Sequence, residues 1–330
     1  DEEEEEEEEA PAGGPAGARR TLGTLPGMGG RPAGMGFGGA RSTAAAGGAP
    51  SEWVGLAKFP PPTRAALQTH LQTLREARMN ELNILLLGKS CVGKSSTLNS
   101  CFEERVAAAS PFKDATPRPQ MVVRHAAGFN LGIIDTPGLL EADMVNEDAL
   151  RAISRFVAGV KIHAVILMDR LDNWRVDAGD RAIYEAITQT FGADIWSKTF
   201  LGFTHGHLVP GNLSYEDFVK GRVETVQKAV RSAVGDKGLA LEPLLIENSG
   251  RCPKNDGQEK VLPNGTVWLP TLVGKLTEMA KAGPVFLHDP KTVKAPSANK
   301  KHRWLIPVLA AFQFFVLKPF VINMIEKDEE

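Results

Sequence analysis

Between residues 62 and 281 the chain alternates short apolar runs with stretches of helical periodicity. The runs Leu82–Leu87, Phe129–Ile134, Ile162–Met168, Lys198–Phe203 and Leu244–Ile246 are bounded by glycine, proline or polar residues. Nearly continuous apolar runs of this length predict strands buried on both faces of a parallel sheet. Gln120–His125 is more polar and is joined to the next run by Ala127-Gly128, which predicts a hairpin. A helix is predicted over 62–80, where Leu67, Leu71 and Leu74 recur at i, i+4 and i+7 behind Pro60-Pro61-Pro62. Further helices are predicted over 96–104, 179–193 and 268–281. Another covers 214–234, with Val219, Val223, Val226, Val230 and Val234 on one face. The alternation predicts an α/β fold of three layers, helices on both sides of a mostly parallel central sheet.

Outside this region the pattern changes. Asp1 to Glu9 is an unbroken acidic run, and removing it turns a formal charge of −2 into +7. Residues 10–50 are mostly Gly, Ala and Pro, with four Arg, no acid and only Phe37 as an aromatic. Too little apolar surface is present to offset the entropy of ordering, so 1–50 is expected to be a disordered tail. Its role is a solubilising spacer or a lure for basic partners. The chain starts at Asp1, as a fragment of a longer protein would, and no signal peptide is visible. Cys91, Cys101 and Cys252 are an odd number without metal-ligand spacing, which suits a reducing compartment.

Near the other end, 291–303 is a basic linker closing on Lys300-Lys301-His302-Arg303, and 326–330 is a short acidic tail. Trp304 to Ile325 lies between them and is apolar except at Lys318 and a few polar positions. As a helix it spans about 33 Å, roughly the hydrocarbon thickness. We expect a transmembrane tail anchor, with the basic cluster keeping the preceding domain in the cytosol. The uncharged part, Trp304 to Leu317, is also short enough for a packed helix.

The first apolar run enters Gly88-Lys89-Ser90-Cys91-Val92-Gly93-Lys94-Ser95, which fits G-x-x-x-x-G-K-[ST] without a mismatch. Strand, glycine loop and helix make the phosphate-binding unit of a P-loop nucleotidase. Gly88 and Gly93 allow a loop tight enough to point main-chain N–H groups at a phosphate chain. Val92 and Ser96 belong to the same cradle. Lys94 is placed to reach the outer phosphates and the Ser95 hydroxyl to ligate Mg²⁺. Cys91 reads as a small loop-filling residue.

The run that ends at Ile134 continues as Asp135-Thr136-Pro137-Gly138-Leu139, about 40 residues after Lys94. A carboxylate at a strand's C-terminal end, followed by a glycine, matches the second metal-and-phosphate motif of these enzymes. Asp135 holds Mg²⁺ through water, and the Gly138 N–H senses the γ-phosphate. Ras-type proteins place a water-orienting Gln next; Leu139 cannot orient water, so slow hydrolysis is expected. In the polar stretch 103–120, Thr116 or Ser110 offers a further hydroxyl for Mg²⁺, and plain loop polarity accounts for both equally well.

Two later loops carry candidate chemistry. Asp169 to Asp177 follows a core strand and holds Arg170 and Arg175, candidates for an arginine finger; a solvated, salt-bridged loop explains them on residue chemistry alone. Thr204-His205-Gly206-His207 stands where many GTPases carry Asn-Lys-x-Asp, whose Asp reads guanine. Glu247, after the last strand, has the acceptor chemistry of that missing Asp; a loop carboxylate is the other reading.

The segments GKSCVGKSS, SPF…PRP, DTPGL, DRLDNWRVD, the lone Thr204-His205 pair and IENSGRC with its polar sequel together resemble the small receptor GTPases of the chloroplast outer-envelope protein translocon, the Toc family. The resemblance runs from about Trp53 to the C-terminus. It implies a GTPase domain over 51–290 that binds GTP or GDP with Mg²⁺, its base held by His205, Glu247 and Asn248. Arg175 falls where the family's arginine reaches across a homodimer or heterodimer toward the partner's nucleotide. Transit peptides, a larger Toc receptor GTPase and the import channel are the implied partners, with no nucleic acid. The implied location is the chloroplast outer envelope, domain facing the cytosol. Ser90 and Cys91 depart from the family's usual GKGGVGKSS, Thr116 matches no family hydroxyl, and the Gly/Ala-rich tail lies outside the resemblance. A membrane-bound scaffold and a soluble immunity-type GTPase of the same superfamily are the alternatives.

Overall fold

The structure, a computed structural model, describes residues 50–109, 116–141, 144–209 and 211–291. Seven strands form one sheet: β1 (Ser51–Glu52), β2 (Glu81–Gly88), β3 (Gln120–Ala126), β4 (Phe129–Asp135), β5 (Ala164–Arg170), β6 (Thr199–Thr204) and β7 (Pro243–Leu245). They are ordered β1-β3-β4-β2-β5-β6-β7. All neighbours run parallel except β3 and β4. That pair is antiparallel because Ala127 and Gly128 both take positive φ, 50° and 74°, and close a two-residue hairpin.

The helices of the described residues are α1 (Pro61–Glu76), α2 (Lys94–Phe102), α3 (Glu147–Phe156), α4 (Ala178–Phe191), α5 (Tyr215–Val234) and α6 (Trp268–Lys281). β2 shows why the sheet needs two helical layers. Its Leu82, Ile84 and Leu86 pack with α1, α2 and α6 on one side, through Leu67, Leu98 and Leu272 among others. Its Leu85 and Leu87 pack with α3, α4 and α5 on the other, through Ile153, Ile183 and Val226. Each such leucine, fully buried, contributes about 1.5–3 kcal/mol. The predicted three-layer α/β fold is therefore present.

The structure moves some boundaries. α1 stops at Glu76 rather than near 80, and Arg78 just beyond it takes φ 59°. α2 starts at Lys94, two residues earlier than predicted. The apolar run from Ile162 is divided. Ile162 pairs antiparallel with Phe286 in a separate two-residue ribbon, and the sheet strand begins at Ala164. β1 was not predicted. Its Ser51 and Glu52 pair with Arg124 and His125, and Trp53 behind them is buried, its indole N–H donating to the Phe102 carbonyl at 3.0 Å.

Among the described residues no helix is long and apolar enough to cross a membrane. The predicted anchor over 304–325 lies outside the described residues, as do the tail over 1–49 and the linker beyond Lys291.

Candidate functional site

The C-terminal ends of β2, β4, β5, β6 and β7 face one side of the sheet, the edge on which open α/β folds bind ligands. A cavity of about 590 Å³ lies there, lined by Lys94, Ser95, Ser96, Thr116, Arg170, His205, Glu247 and Asn248 with their neighbours. That size is ordinary for a small-molecule site.

The loop from β2 into α2 forms its floor. Gly93 takes φ 95° as the N-cap of α2, and no side chain caps the helix. Its first N–H groups and the positive end of its dipole are therefore directed at the cavity. A Cβ on Gly93 would lie 3.1 Å from Thr204 Cγ2, so the loop is both left-handed and tightly backed. The Lys94 amine donates to the carbonyls of Gly88 at 3.2 Å and Lys89 at 2.6 Å, which fixes it inside the loop. Gly88 and Val92 hold the loop rather than line the cavity. The Gly88 carbonyl also accepts the Leu139 N–H at 3.1 Å, and the Val92 carbonyl accepts the Thr204 hydroxyl at 2.9 Å.

Gly138 closes on this loop from the side. A Cβ there would stand 2.8 Å from the Ser90 main-chain nitrogen and 1.9 Å from Ser90 Oγ, so only glycine fits. Ser90, one of the two departures from the expected glycines, uses its hydroxyl to reach the Leu140 carbonyl at 3.3 Å. Leu139 is wholly buried with α3 and α4 residues, and its side chain cannot meet a cavity water.

A cluster of side-chain oxygens lies beside the loop. Ser95 Oγ donates to Asp135 Oδ2 at 2.7 Å, and Thr116 Oγ1 donates to the same oxygen at 2.9 Å. The two hydroxyls are 3.0 Å apart. Asp135 is fully buried, and its other oxygen, Oδ1, has no hydrogen-bond partner among the described residues. Such an orphan acceptor is costly unless a ligand or bound water completes it. Hydroxyls and a carboxylate are hard oxygen donors, so the set fits Mg²⁺. Thr116 thus joins Ser95 and Asp135, while Ser110 lies outside the described residues. When bound, Mg²⁺ would neutralise phosphate charge there.

The opposite end is made by the loops after β6 and β7. His205 takes φ 59° and lies near Thr204 Oγ1, 3.2 Å from its Nδ1. Burial first, and then the nearby Arg170 charge, lower its pKa, so the ring is neutral at pH 7. Glu247 is 1% exposed, and both of its oxygens are engaged. Oε1 accepts the Ser249 N–H at 2.6 Å; Oε2 accepts the His207 main-chain N–H at 3.1 Å and the His207 ring Nδ1–H. Glu247 is thus a loop-holding carboxylate as well as a cavity residue; the two readings are compatible. Asn248 donates to Thr97 Oγ1 at 2.9 Å, and its own Oδ1 is a further buried atom without a partner among the described residues.

The arginine-bearing loop is tied down at both ends. Asp169 is paired with the buried Arg222 and accepts from Asn173 at 2.9 Å. Asp177 and Asp180 form a capping box on α4, and both bind the Lys89 amine, at 2.9 and 2.8 Å. Burial opposes the Lys89 charge, but the hydrogen bonds it donates to Asp180 and Asp177, with their charges, outweigh burial and raise its pKa. The structure separates the two candidate arginines. Arg170 lines the cavity but is held by both oxygens of Asp172, at 2.9 and 2.7 Å. Arg175 is outside the cavity lining, exposed, and without a hydrogen-bond or ion-pair partner among the described residues. Its neighbour Trp174 is 58% exposed.

Sequence reasoning gave no role of their own to Lys89, Thr204 and His207, although Thr204 and His207 belong to a loop it singled out. Lys89 and His207 had only their place in a loop as a signal, because their carboxylate partners arrive from distant segments.

Residues 82–251 match the model of the AIG1 family. The chain is 42% identical over 278 residues to translocase of chloroplast 34 from Arabidopsis thaliana, covering 82% of this chain and 89% of that one. A crystal structure of Arabidopsis thaliana Toc33 in complex with GDP and Mg²⁺ superposes with a TM-score of 0.69 at 43% identity, covering 72% of this chain and all of that one. A Toc33 arginine-to-alanine variant described as dimerization deficient matches with the same TM-score at 42% identity, covering 72% of this chain and 99% of that one. The P-loop floor, the Ser95–Asp135 pair and the His205–Glu247 end therefore belong to a chain that is a member of the AIG1 family of P-loop GTPases, in its chloroplast-translocase branch.

Proposed function

We propose that this protein is a GTP-regulated receptor of the chloroplast outer envelope, which recognises the transit peptides of precursor proteins and passes them to the import channel. The observation that carries the reading is the base end of the cavity. Thr204-His205 and Glu247-Asn248 meet there in place of an Asn-Lys-x-Asp loop, within a chain 42% identical to a named chloroplast translocase.

In this reading GTP and GDP are held by the main chain of Gly93 and Ser96, in a loop whose shape Gly88 and Val92 fix, with the Gly138 N–H sensing the γ-phosphate and Lys94 on the outer phosphates. His205, Glu247 and Asn248 face the base. Ser95 and Asp135 hold Mg²⁺, and Thr116 joins them. Hydrolysis is slow, because the buried Leu139 leaves no side chain at that position to orient water. Two GTPase domains meet across their nucleotides, either two copies or this chain with a larger Toc GTPase, and Arg175 crosses between them. The variant described as dimerization deficient supports an arginine in that role. The segment 304–325 anchors the chain and leaves the domain in the cytosol.

The test is binding of a labelled transit peptide to the full chain loaded with GDP or with a non-hydrolysable GTP analogue. Association that survives carbonate washing, and is lost on deleting 304–330, tests the anchor.

A further inference from the structure

We propose that His207 is a positioning residue for guanine recognition, acting through Glu247; this rests on the reading that Glu247 faces the base. His207 is not among the residues lining the cavity, whereas Glu247 is. The two belong to loops that leave adjacent strands, β6 and β7, and they are 40 residues apart in sequence.

The case starts from the charge of Glu247. A carboxylate this buried needs donors, since its desolvation is otherwise uncompensated. Among the described residues no lysine or arginine side chain pairs with it; Lys260 instead reaches its main-chain carbonyl at 3.4 Å. The His207 ring is the one side chain that pairs with the carboxylate there. Because a carboxylate only accepts, the proton between them belongs to Nδ1 of His207. Ring and main chain of His207 thus fill two acceptor sites on Oε2, and the Ser249 N–H fills one on Oε1. A carboxylate offers about four such sites. Three fixed donors set the rotamer and leave one site for a ligand N–H, the group that the pairing edge of guanine presents.

His207 is itself held. Gly206 N–H donates to the Ile246 carbonyl at 3.0 Å, and the Tyr215 hydroxyl donates to the Gly206 carbonyl at 2.5 Å. The loop is a rigid mount, and truncating the ring removes one donor without removing the mount.

The experiment measures GDP and ADP dissociation constants, with melting temperatures, for the full chain and for His207→Ala, His207→Asn and Glu247→Gln. Asn retains an N–H donor near the Nδ1 position. The expected result is a loss of about tenfold or more in GDP affinity for His207→Ala and for Glu247→Gln, the scale of one charge-assisted hydrogen bond. ADP affinity stays unchanged, and His207→Asn returns GDP affinity to within about threefold of the parent. Parent-like GDP binding by His207→Ala, beside a weakened Glu247→Gln, overturns the positioning role and leaves the base reading intact. Parent-like binding by Glu247→Gln overturns the base reading, and the role of His207 with it. Equal losses for GDP and ADP in His207→Ala, with a lowered melting temperature, reduce His207 to a structural residue and overturn the proposal.

Discussion

Ser95 Oγ and Asp135 Oδ2 are joined by a 2.7 Å hydrogen bond across 40 residues of sequence. The bond sets the start of α2 against the end of β4, and the Thr116 hydroxyl completes the group from a third segment. All three oxygens are small, hard donors, and the remaining Asp135 oxygen has no partner among the described residues.

Thr116→Ala is expected to raise the Mg²⁺ concentration needed for binding a GTP analogue by about tenfold, as loss of a metal-site group does, while GDP binding stays within about twofold. Ser95→Ala should weaken both nucleotides. Mg²⁺ titrations with fluorescent nucleotides distinguish the two variants. An equal loss for both nucleotides in Thr116→Ala would limit the hydroxyl to holding Asp135.

Arg175→Ala is expected to weaken dimerisation clearly and to slow hydrolysis by less than about tenfold, well short of the 10³–10⁵ of a true arginine finger. Arg175 is exposed and follows the exposed Trp174 in sequence, on a loop fixed by Asp169–Arg222 at one end and Lys89–Asp177 at the other. Such a loop lines the cavity through Arg170 and presents Arg175 outside it. Sedimentation equilibrium with GDP, paired with single-turnover hydrolysis at high and low protein concentration, reads both effects. Unaltered dimerisation would remove Arg175 from the interface, and a thousandfold rate loss at constant dimer fraction would make it catalytic.

Acid should destabilise the domain through its histidines. Burial lowers the pKa of His70, His163, His205 and His288 below the ordinary 6.5. The unfolded chain therefore binds protons before the native one does, and stability falls as pH drops from about 6.5 towards the lowered native values. His163 is the clearest case, since its Nδ1 accepts the Asn83 N–H at 3.0 Å and protonation would break that bond. Melting temperature should fall between pH 7.5 and 5.5, less steeply in His163→Asn than in the parent. A parent melting temperature that is flat over this window would contradict the assignment.

Legibility in the sequence followed the kind of signal each element carries. β2 was readable because Leu82 to Leu87 faces apolar layers on both sides, which leaves a run that is apolar except at Asn83. β1 was not, because two polar residues at a sheet edge give no period to read. The break at His163 was hidden because one polar residue inside an apolar run does not by itself mark a strand boundary, and the Asn83 N–H that His163 Nδ1 accepts comes from a distant strand. Lys94, Ser95 and Asp135 were readable because their chemistry depends on spacing within local strand-to-loop units. Thr116 stayed open, for a hydroxyl in a polar loop has no spacing rule. Arg170 and Arg175 are equivalent candidates on residue chemistry alone; the resemblance points to Arg175, and the fold gives Asp172 to Arg170 and solvent to Arg175.

The central claim, a GTP-gated transit-peptide receptor, is tested most directly by the affinity of the full chain for a labelled transit peptide in its two nucleotide states. Lys94→Ala serves as the variant that loses the amine held by Gly88 and Lys89. The account predicts binding about tenfold tighter with the non-hydrolysable GTP analogue than with GDP, within the usual range of coupling between two sites. It predicts that Lys94→Ala abolishes the difference. Equal affinity in both states, or a difference that persists in Lys94→Ala, would contradict it.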